Sequence, residues 1–188
     1  MKDAFIYGGD DNMVVKGLDL DSKSKTENIL FNRVVTLSNS AAAKIGTETN
    51  TKYFRNIIFK NIDVIQCKRA FVIDAFDSTA ISNVQFKNFY IESFIYKGAE
   101  KPYLIDFEIT NNSWRSSKGL CSIKNVKVHN INIYCKLSRV LSQIAGYSDE
   151  YNIANINISN IFEEGIPIYN INRLNLNINP FAINVKIK

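Results

Sequence analysis

Histidine, cysteine and tryptophan are scarce in this chain of 188 residues, which has one histidine, three cysteines and one tryptophan. No two cysteines form a Cys-x-x-Cys pair, and the only histidine, His129, stands in an alternating apolar and polar run. A zinc-type site needs several such ligands at close spacing, so the sequence predicts no metal and no other cofactor. Because the number of cysteines is odd, at least one thiol is free or pairs between molecules.

Long hydrophobic runs and clusters of basic residues are also missing. No apolar stretch approaches the length that crosses a bilayer, and the first residues do not form a secretory signal. The formal charge is only +5, and Lys and Arg are scattered, which disfavours a nucleic-acid-binding stripe. Neither a membrane nor a nucleic acid is therefore an expected partner. With 3 prolines and 8 glycines and no linker, the chain is expected to form one domain over residues 1–188.

A repeated asparagine pattern dominates what the sequence does contain. Its common form is Asn, apolar, any, apolar, polar, Asn, apolar, and its copies begin at Asn28, Asn56, Asn83, Asn125 and Asn155. Steps of 27 to 30 residues separate them, except for one of 42, which predicts an insertion loop at about residues 93–119. The period-two alternation within each copy indicates a strand.

A repeat of this length fits one coil of a parallel β-helix, so we predict an all-β fold of about six coils. Apolar side chains would line the interior, and the recurring asparagines would stack into a ladder of side-chain amides. A β-sandwich is the competing fold, but it does not account for one asparagine pattern that recurs at coil length. The other walls of the coils are expected in residues 41–49, 69–77, 103–109 and 140–144.

One of these walls is ambiguous. Leu137, Val140, Leu141 and Ile144 also fit helical spacing. We predict a strand there because the stack needs a wall at this position.

The pair Asp10-Asp11 is the strongest candidate for chemistry. Neighbouring side chains on a regular strand point to opposite faces, so one of the two charges would be buried. The preceding Gly8 and Gly9 permit a bulge that aims both carboxylates at solvent, where each can shift the pKa of the other. The same residues also suit an ordinary solvated turn.

Other polar residues are expected on the same wall in successive coils. Lys44, Glu48, Asp74 and Asp77 would then form a cleft that suits an extended polymer. The single tryptophan, Trp114, lies in the predicted insertion. It could stack on a sugar ring or only cover the side of the stack.

The segment Gly9–Lys16, the run Lys44–Glu48 and the strand copy Asn56–Ile65 together resemble polygalacturonase-like glycoside hydrolases of the pectate-lyase superfamily. The resemblance implies a right-handed parallel β-helix and inverting hydrolysis of a polysaccharide or oligosaccharide. It implies that Asp10 is the general acid and that Asp11 helps to activate water, with the acid and base groups about 6.5 to 9.5 Å apart. It also implies a secreted or periplasmic location.

The chain departs from the family pattern in three places. The family's third aspartate, one coil before the Asp-Asp pair, has no counterpart, so the chain is expected to be a C-terminal part that lacks N-terminal coils and could self-associate through an uncapped edge. The family's Gly-His-Gly coil is replaced in this chain by Ala41–Ala43, and the family's Arg-Ile-Lys motif is replaced by Val72–Asp74. An acid at this last point would repel a uronic acid, which favours a neutral glycan.

Three functions therefore stand open. The first is a glycoside hydrolase, and the second is an inactive β-helix module for glycan binding or structure. A polysaccharide lyase is the third, and it would need a basic proton acceptor and usually calcium. Lys44 and Glu48 offer little basis for it.

Overall fold

Two parallel sheets, formed by alternate strands of the chain, face each other across an apolar core in the computed structural model, which describes residues 1–19, 21, 23–96 and 98–188. The first sheet contains β1 (Lys2–Gly8), β3 (Thr26–Ser38), β5 (Phe54–Gln66), β7 (Ile81–Ile91), β9 (Ile123–Ile133) and β11 (Ile153–Glu163), with β12 (Ile166–Ile168) antiparallel and β14 (Ala182–Ile187) parallel to β11. The second contains β2 (Met13–Leu18), β4 (Ala41–Asn50), β6 (Arg69–Ala75), β8 (Tyr103–Ile109), β10 (Leu141–Ala145) and β13 (Leu176–Ile178).

Each coil contributes one long strand to the first sheet and one shorter strand to the second. The strands of successive coils pair in parallel register, so the chain climbs as a solenoid of about six turns. This confirms the predicted parallel β-helix and the four wall strands that alternate with the asparagine copies.

The asparagines of the repeat are the corners of the long strands. Both asparagines of a typical copy, such as Asn56 and Asn61 in β5, have φ values of 56°. Asparagine tolerates this left-handed conformation better than most residues. Each corner adds one outward residue, so buried positions resume with Ile57 after the first corner and with Ile62 after the second. The repeat spacing therefore encodes where the strand bends.

Side-chain amides at these corners form two ladders along the solenoid. In the first ladder each Nδ2 donates to the Oδ1 of the preceding coil over 2.6 to 3.3 Å, and the members are Asn28, Asn56, Asn83, Asn125, Asn155 and Asn184. The second ladder has donor distances of 2.8 to 3.1 Å and contains Asn32, Asn61, Asn88, Asn130 and Asn160. The predicted amide ladder is thus confirmed, in two copies.

Aromatic residues fill the core in the coils from β3 to β8. Phe31, Phe59 and Phe86 stack in successive coils with ring centroids 4.9 and 5.2 Å apart. Phe107 of the second sheet packs on Phe86 at 5.9 Å. Each such pair contributes about 0.5–1.5 kcal/mol beyond area burial. The contact between Phe86 and Phe107 joins the two sheets and fixes the position of the second sheet on the core.

Two boundaries differ from the sequence prediction. β10 begins at Leu141, so the strand prediction is confirmed for residues 141–144 but wrong for 137–140, where Val140 donates its N–H to the carbonyl of Leu137 in a turn. The proposed insertion of residues 93–119 is not one loop, because β8 occupies residues 103–109 as a regular wall strand. The extra length is divided between the connections on either side of β8.

The first coil has an unpaired edge among the described residues. β1 pairs only with β3, and β2 pairs only with β4. Phe5 and Tyr7 on β1 are 65% and 72% exposed. Asp3 and Arg33, at the corners of the first two coils, form an ion pair in place of an amide contact.

Candidate active site

The Asp-Asp pair lies in the turn between β1 and β2, but its two carboxylates have different environments. Asp10 is exposed, whereas the side chain of Asp11 is only 14% exposed. Asp11 Oδ1 accepts the N–H of Ala41 at 2.9 Å, and its Oδ2 accepts Lys44 Nζ at 2.8 Å. The expectation that both acids face solvent is therefore wrong for Asp11, because the turn folds it back against the second sheet.

Asn12, which was not among the predicted site residues, fixes this turn. Its Nδ2 donates to Thr36 Oγ1 at 2.6 Å and to the carbonyl of Leu37 at 2.9 Å. Gly8 is required next to it, because a Cβ at Gly8 would lie 2.1 Å from Asn12 Oδ1. The glycine thus serves close packing in the corner that positions Asp10 and Asp11.

A chain of buried ion pairs crosses the outer side of the second sheet. Lys44 Nζ lies 2.8 Å from Asp11 and 2.9 Å from Asp74, and both Lys44 and Asp74 are almost fully buried. Arg69 Nη1 lies 3.3 Å from Asp74 and 3.2 Å from Asp106. These contacts satisfy charges that would otherwise be costly to bury.

The charge cluster holds Asp11 ionised. Burial opposes ionisation of Asp11, but hydrogen bonds from Lys44, Ser40 and the Ala41 N–H outweigh it and lower the pKa of Asp11. Burial also opposes the charge on Lys44, but attraction to Asp74 and hydrogen bonds with Asp11 and Asp74 raise its pKa. Lys44 therefore keeps its proton and Asp11 remains an anion over the neutral range.

Glu108 on β8 has the opposite behaviour. Its register neighbour on β6 is Asp74, and its side chain is half-buried. Burial, followed by the charges of Asp106 and Asp74, raises the pKa of Glu108 from 4.5 to about 7, while Arg69 and Lys44 only partly offset them. This strand was predicted from the sequence, but a role for its acid was not. An acid alternating with buried Phe107 and Ile109 was the signal that could have found it.

Asp106, the last residue in the chain of ion pairs, is more deeply buried than Glu108. Burial raises its pKa, against the hydrogen bonds that it accepts from Gln143 and Arg69. Gln143 Nε2 donates to Asp106 Oδ1 at 2.7 Å. Asp106 therefore continues the structural ion cluster rather than opening to the solvent.

A cleft of about 370 Å³ lies over this ion cluster, and Asp106 is not among the residues that line it. Its walls combine Asp10, Asp11, Lys44 and Asp74 with the missed Glu108, and its rim carries Lys16, Glu48, Asn112 and Trp114. Trp114 is 73% exposed, and Glu48 is paired with Lys16 Nζ at 2.7 Å. The predicted cleft across the coils is thus present, with most of the predicted residues on it, although Lys44 and Asp74 lie beneath its surface.

Asp77 is the exception among the predicted site residues. It is completely buried at the end of the wall and does not line the cleft. Its carboxylate accepts hydrogen bonds from the N–H groups of Thr49, Ser116 and Ser117 at 2.6 to 2.8 Å. Asp77 therefore anchors the connection that carries Trp114 and does not face a ligand.

The thiols lie apart from this cleft. Cys67 and Cys121 are buried, Cys135 is half-buried, and all three are free. Burial, followed by the charge of Asp77, raises the pKa of Cys121 to about 12, so this thiol stays protonated. The cysteines therefore behave as structural residues of the core.

No family model matches the chain, and neither the curated proteins nor the solved structures yield a match. Within residues 1–19, 21, 23–96 and 98–188 no helix is long and apolar enough to cross a membrane. Among the same residues no group of three or more His, Cys, Asp and Glu side chains is arranged to hold a metal ion. The fold and the cleft together define a parallel β-helix protein with an acidic cleft across its coils.

Proposed function

We propose that this protein is a glycoside hydrolase, similar to the polygalacturonase-like enzymes, that cleaves a neutral polysaccharide by inverting acid and base hydrolysis. One observation carries the proposal: a single cleft contains Glu108, whose pKa is raised to about 7, and Asp11, whose pKa is lowered. Two carboxyl groups whose environments push their pKa values apart are the usual basis for dividing acid and base roles.

Glu108 is the group best suited to be the general acid. At mildly acidic pH it carries a proton that it can donate to the glycosidic oxygen as the bond to the anomeric carbon breaks. The family resemblance gives this role to Asp10, which instead lies exposed at the mouth of the cleft. We therefore assign to Asp10 a contact with the sugar chain near the reaction centre.

Asp11 is the candidate base. Its carboxylate stays ionised beside Lys44, so it can accept a proton from the water that attacks the anomeric carbon. Lys44 and Asp74 lie between Asp11 and the strand that carries Glu108. Inversion needs about 6.5 to 9.5 Å between the acid and base groups, to leave space for the attacking water, and the proposal requires this separation of Glu108 and Asp11 in the complex with substrate.

The charge of the cleft favours a neutral glycan. The carboxylates of Asp10, Asp11, Glu48 and Asp74 are only partly balanced by Lys16, Lys44 and Arg69, and Glu108 adds a further negative charge when it ionises. Contrary to the expectation from the sequence, Asp74 does not repel a uronic acid directly, because it is paired with Lys44 and Arg69. The remaining negative charge at the surface still disfavours an acidic sugar. Action on such a polymer would place the protein outside the cell or in a periplasm.

A second candidate function is an inactive module that binds or supports glycans. It is favoured by the ion cluster itself, because Lys44 and Arg69 occupy oxygens of Asp11, Asp74 and Asp106 as a structural network would. In this case Trp114 and the rim residues would hold a sugar chain without cleaving it.

The test is release of reducing ends from a panel of neutral and uronic polysaccharides. The wild type is compared with Glu108→Gln, Asp11→Asn and Asp10→Asn, and Glu92→Gln on the exposed surface serves as the matched control. We expect turnover of a neutral glycan that falls by at least about 100-fold in Glu108→Gln and Asp11→Asn and is unchanged in the control. No turnover from folded protein, together with retained glycan binding, would instead support the inactive module.

A further inference from the structure

The outer face of the first sheet between the two asparagine ladders is formed by two columns of side chains. Register pairing aligns Ile58, Gln85, Lys127, Asn157 and Lys186 in one column, and Lys60, Lys87, His129 and Ser159 in the other. Successive members are separated by one coil, or about 4.8 Å. We call Lys60, Lys87, Lys127, Lys186 and His129 together the lysine face.

Neither of the two columns contains an acidic residue. Within the described residues none of the four lysines of the lysine face has an ion-pair partner, whereas Lys16, Lys44, Lys68 and Lys136 are all paired elsewhere on the molecule. Burial, followed by the charges of Lys87 and Lys127, lowers the pKa of His129. The face therefore concentrates unpaired positive charge in one strip along the solenoid axis.

The flanking ladders supply hydrogen-bond donors beside this charge. Each ladder amide, such as that of Asn83, Asn88 or Asn125, uses one N–H for the preceding coil. An asparagine amide has two N–H groups, so the second is available to an outside acceptor. One shallow groove runs along the first ladder and is lined by Asn56, Asn83 and Lys127. Another lies between the two columns and is lined by Lys87 and His129.

We propose that the lysine face binds a linear acidic polysaccharide, with its carboxylate or sulfate groups on the lysines and its hydroxyl groups on the ladder amides. Regular repeats of charge along an extended polymer match this strip, in which β5, β7 and β9 each carry one lysine (Lys60, Lys87 and Lys127) and β14 carries Lys186. A single-stranded nucleic acid is disfavoured because the two columns contain no Phe, Tyr or Trp on which bases could stack. This binding goes beyond the proposed hydrolase activity and is independent of it, because the acidic cleft belongs to the second sheet.

Binding to immobilised heparin at fixed ionic strength tests the proposal. The triple variant Lys60→Gln, Lys87→Gln and Lys127→Gln removes charge from the lysine face. The matched control Lys25→Gln, Lys52→Gln and Lys118→Gln removes the same charge from exposed positions elsewhere. We expect the first variant to bind at least about tenfold more weakly and the control to retain wild-type affinity.

Several results would overturn the proposal. Absence of wild-type binding would do so, as would an equal loss in both triple variants, which would mean that only net charge matters. Competition separates the ligand classes: soluble polygalacturonate should displace the protein from heparin, and a neutral dextran should not. Displacement by single-stranded DNA at lower charge concentration than polygalacturonate would assign the face to nucleic acid instead. Because all the substituted side chains point outward, circular dichroism should show an unchanged fold in both variants.

Discussion

Replacement of Glu108 by Gln should make the protein more resistant to unfolding at alkaline pH but not at acidic pH. The pKa of Glu108 is raised in the folded state from 4.5 to about 7. A carboxyl group with a raised pKa stabilises the fold fully below its unfolded pKa, and this contribution is lost as the pH rises through the folded pKa. Between pH 5 and pH 8 the wild type should therefore lose stability that the uncharged variant keeps.

The size of this effect follows from the shift. Full conversion of the change from 4.5 to about 7 corresponds to an upper bound of about 3 kcal/mol. Because the side chain is only half-buried, solvent screening reduces the expected difference to about 1–2 kcal/mol at pH 8. At pH 5 the folded wild type holds the proton, so the two proteins should differ by much less.

Urea unfolding followed by circular dichroism at pH 5 and pH 8 measures this difference. Exposed Glu92 provides the control, because Glu92→Gln removes one carboxyl group at the surface, away from the ion cluster. Asp106 is coupled to Glu108, because its charge helps to raise the pKa of Glu108, so the difference measured between wild type and Glu108→Gln belongs to the pair. A Glu108→Gln effect that does not depend on pH would refute the assigned pKa and remove the basis for its role as the acid.

Three further perturbations follow from the structure. Lys44→Met should lower the free energy of unfolding by about 3 kcal/mol, because it leaves two carboxylates in a buried site without their shared cation, and the loss measured in urea should shrink at low pH. Asp77→Asn should speed proteolytic cleavage within residues 110–122, since it weakens the anchor of that connection, while Asp63→Asn on the surface should have no effect. Light scattering should detect self-association through the unpaired β1 edge, and Phe5→Lys should reduce it; a wild-type monomer at all concentrations would contradict this expectation.

The repeat accounts for how much of the fold could be predicted. Asn56 and Asn61 stand five positions apart because that is the length of the strand segment between two corners, and the corners need a residue that accepts positive φ. The same spacing recurs in most of the other copies, so local chemistry determines the coil and the coil determines the stack. Residues 137–140 were misassigned because Leu137 and Val140, the buried first and last residues of a turn, are apolar like the inward residues of a strand.

The candidate site was only partly predictable. Asp10, Asp11 and Lys44 were found because they lie in short recognisable runs. Glu108 was missed because its raised pKa arises first from burial, which only the stacked coils produce, and then from the charges of Asp106 on its own strand and Asp74 on the preceding coil. Asp77 was misassigned because sequence alone does not distinguish an acid that faces a ligand from one that accepts backbone N–H groups.

The sequence by itself thus determined a parallel β-helix with asparagine corners, since the period, the alternation and the conformational tolerance of asparagine are all local properties. Only the tertiary structure decided which charges meet. Stacking at about 4.8 Å per coil brings together residues that are far apart in the chain. It places Asp11 and Asp74 on Lys44, and it aligns Lys60, Lys87 and Lys127, scattered along the sequence, into one strip of positive charge.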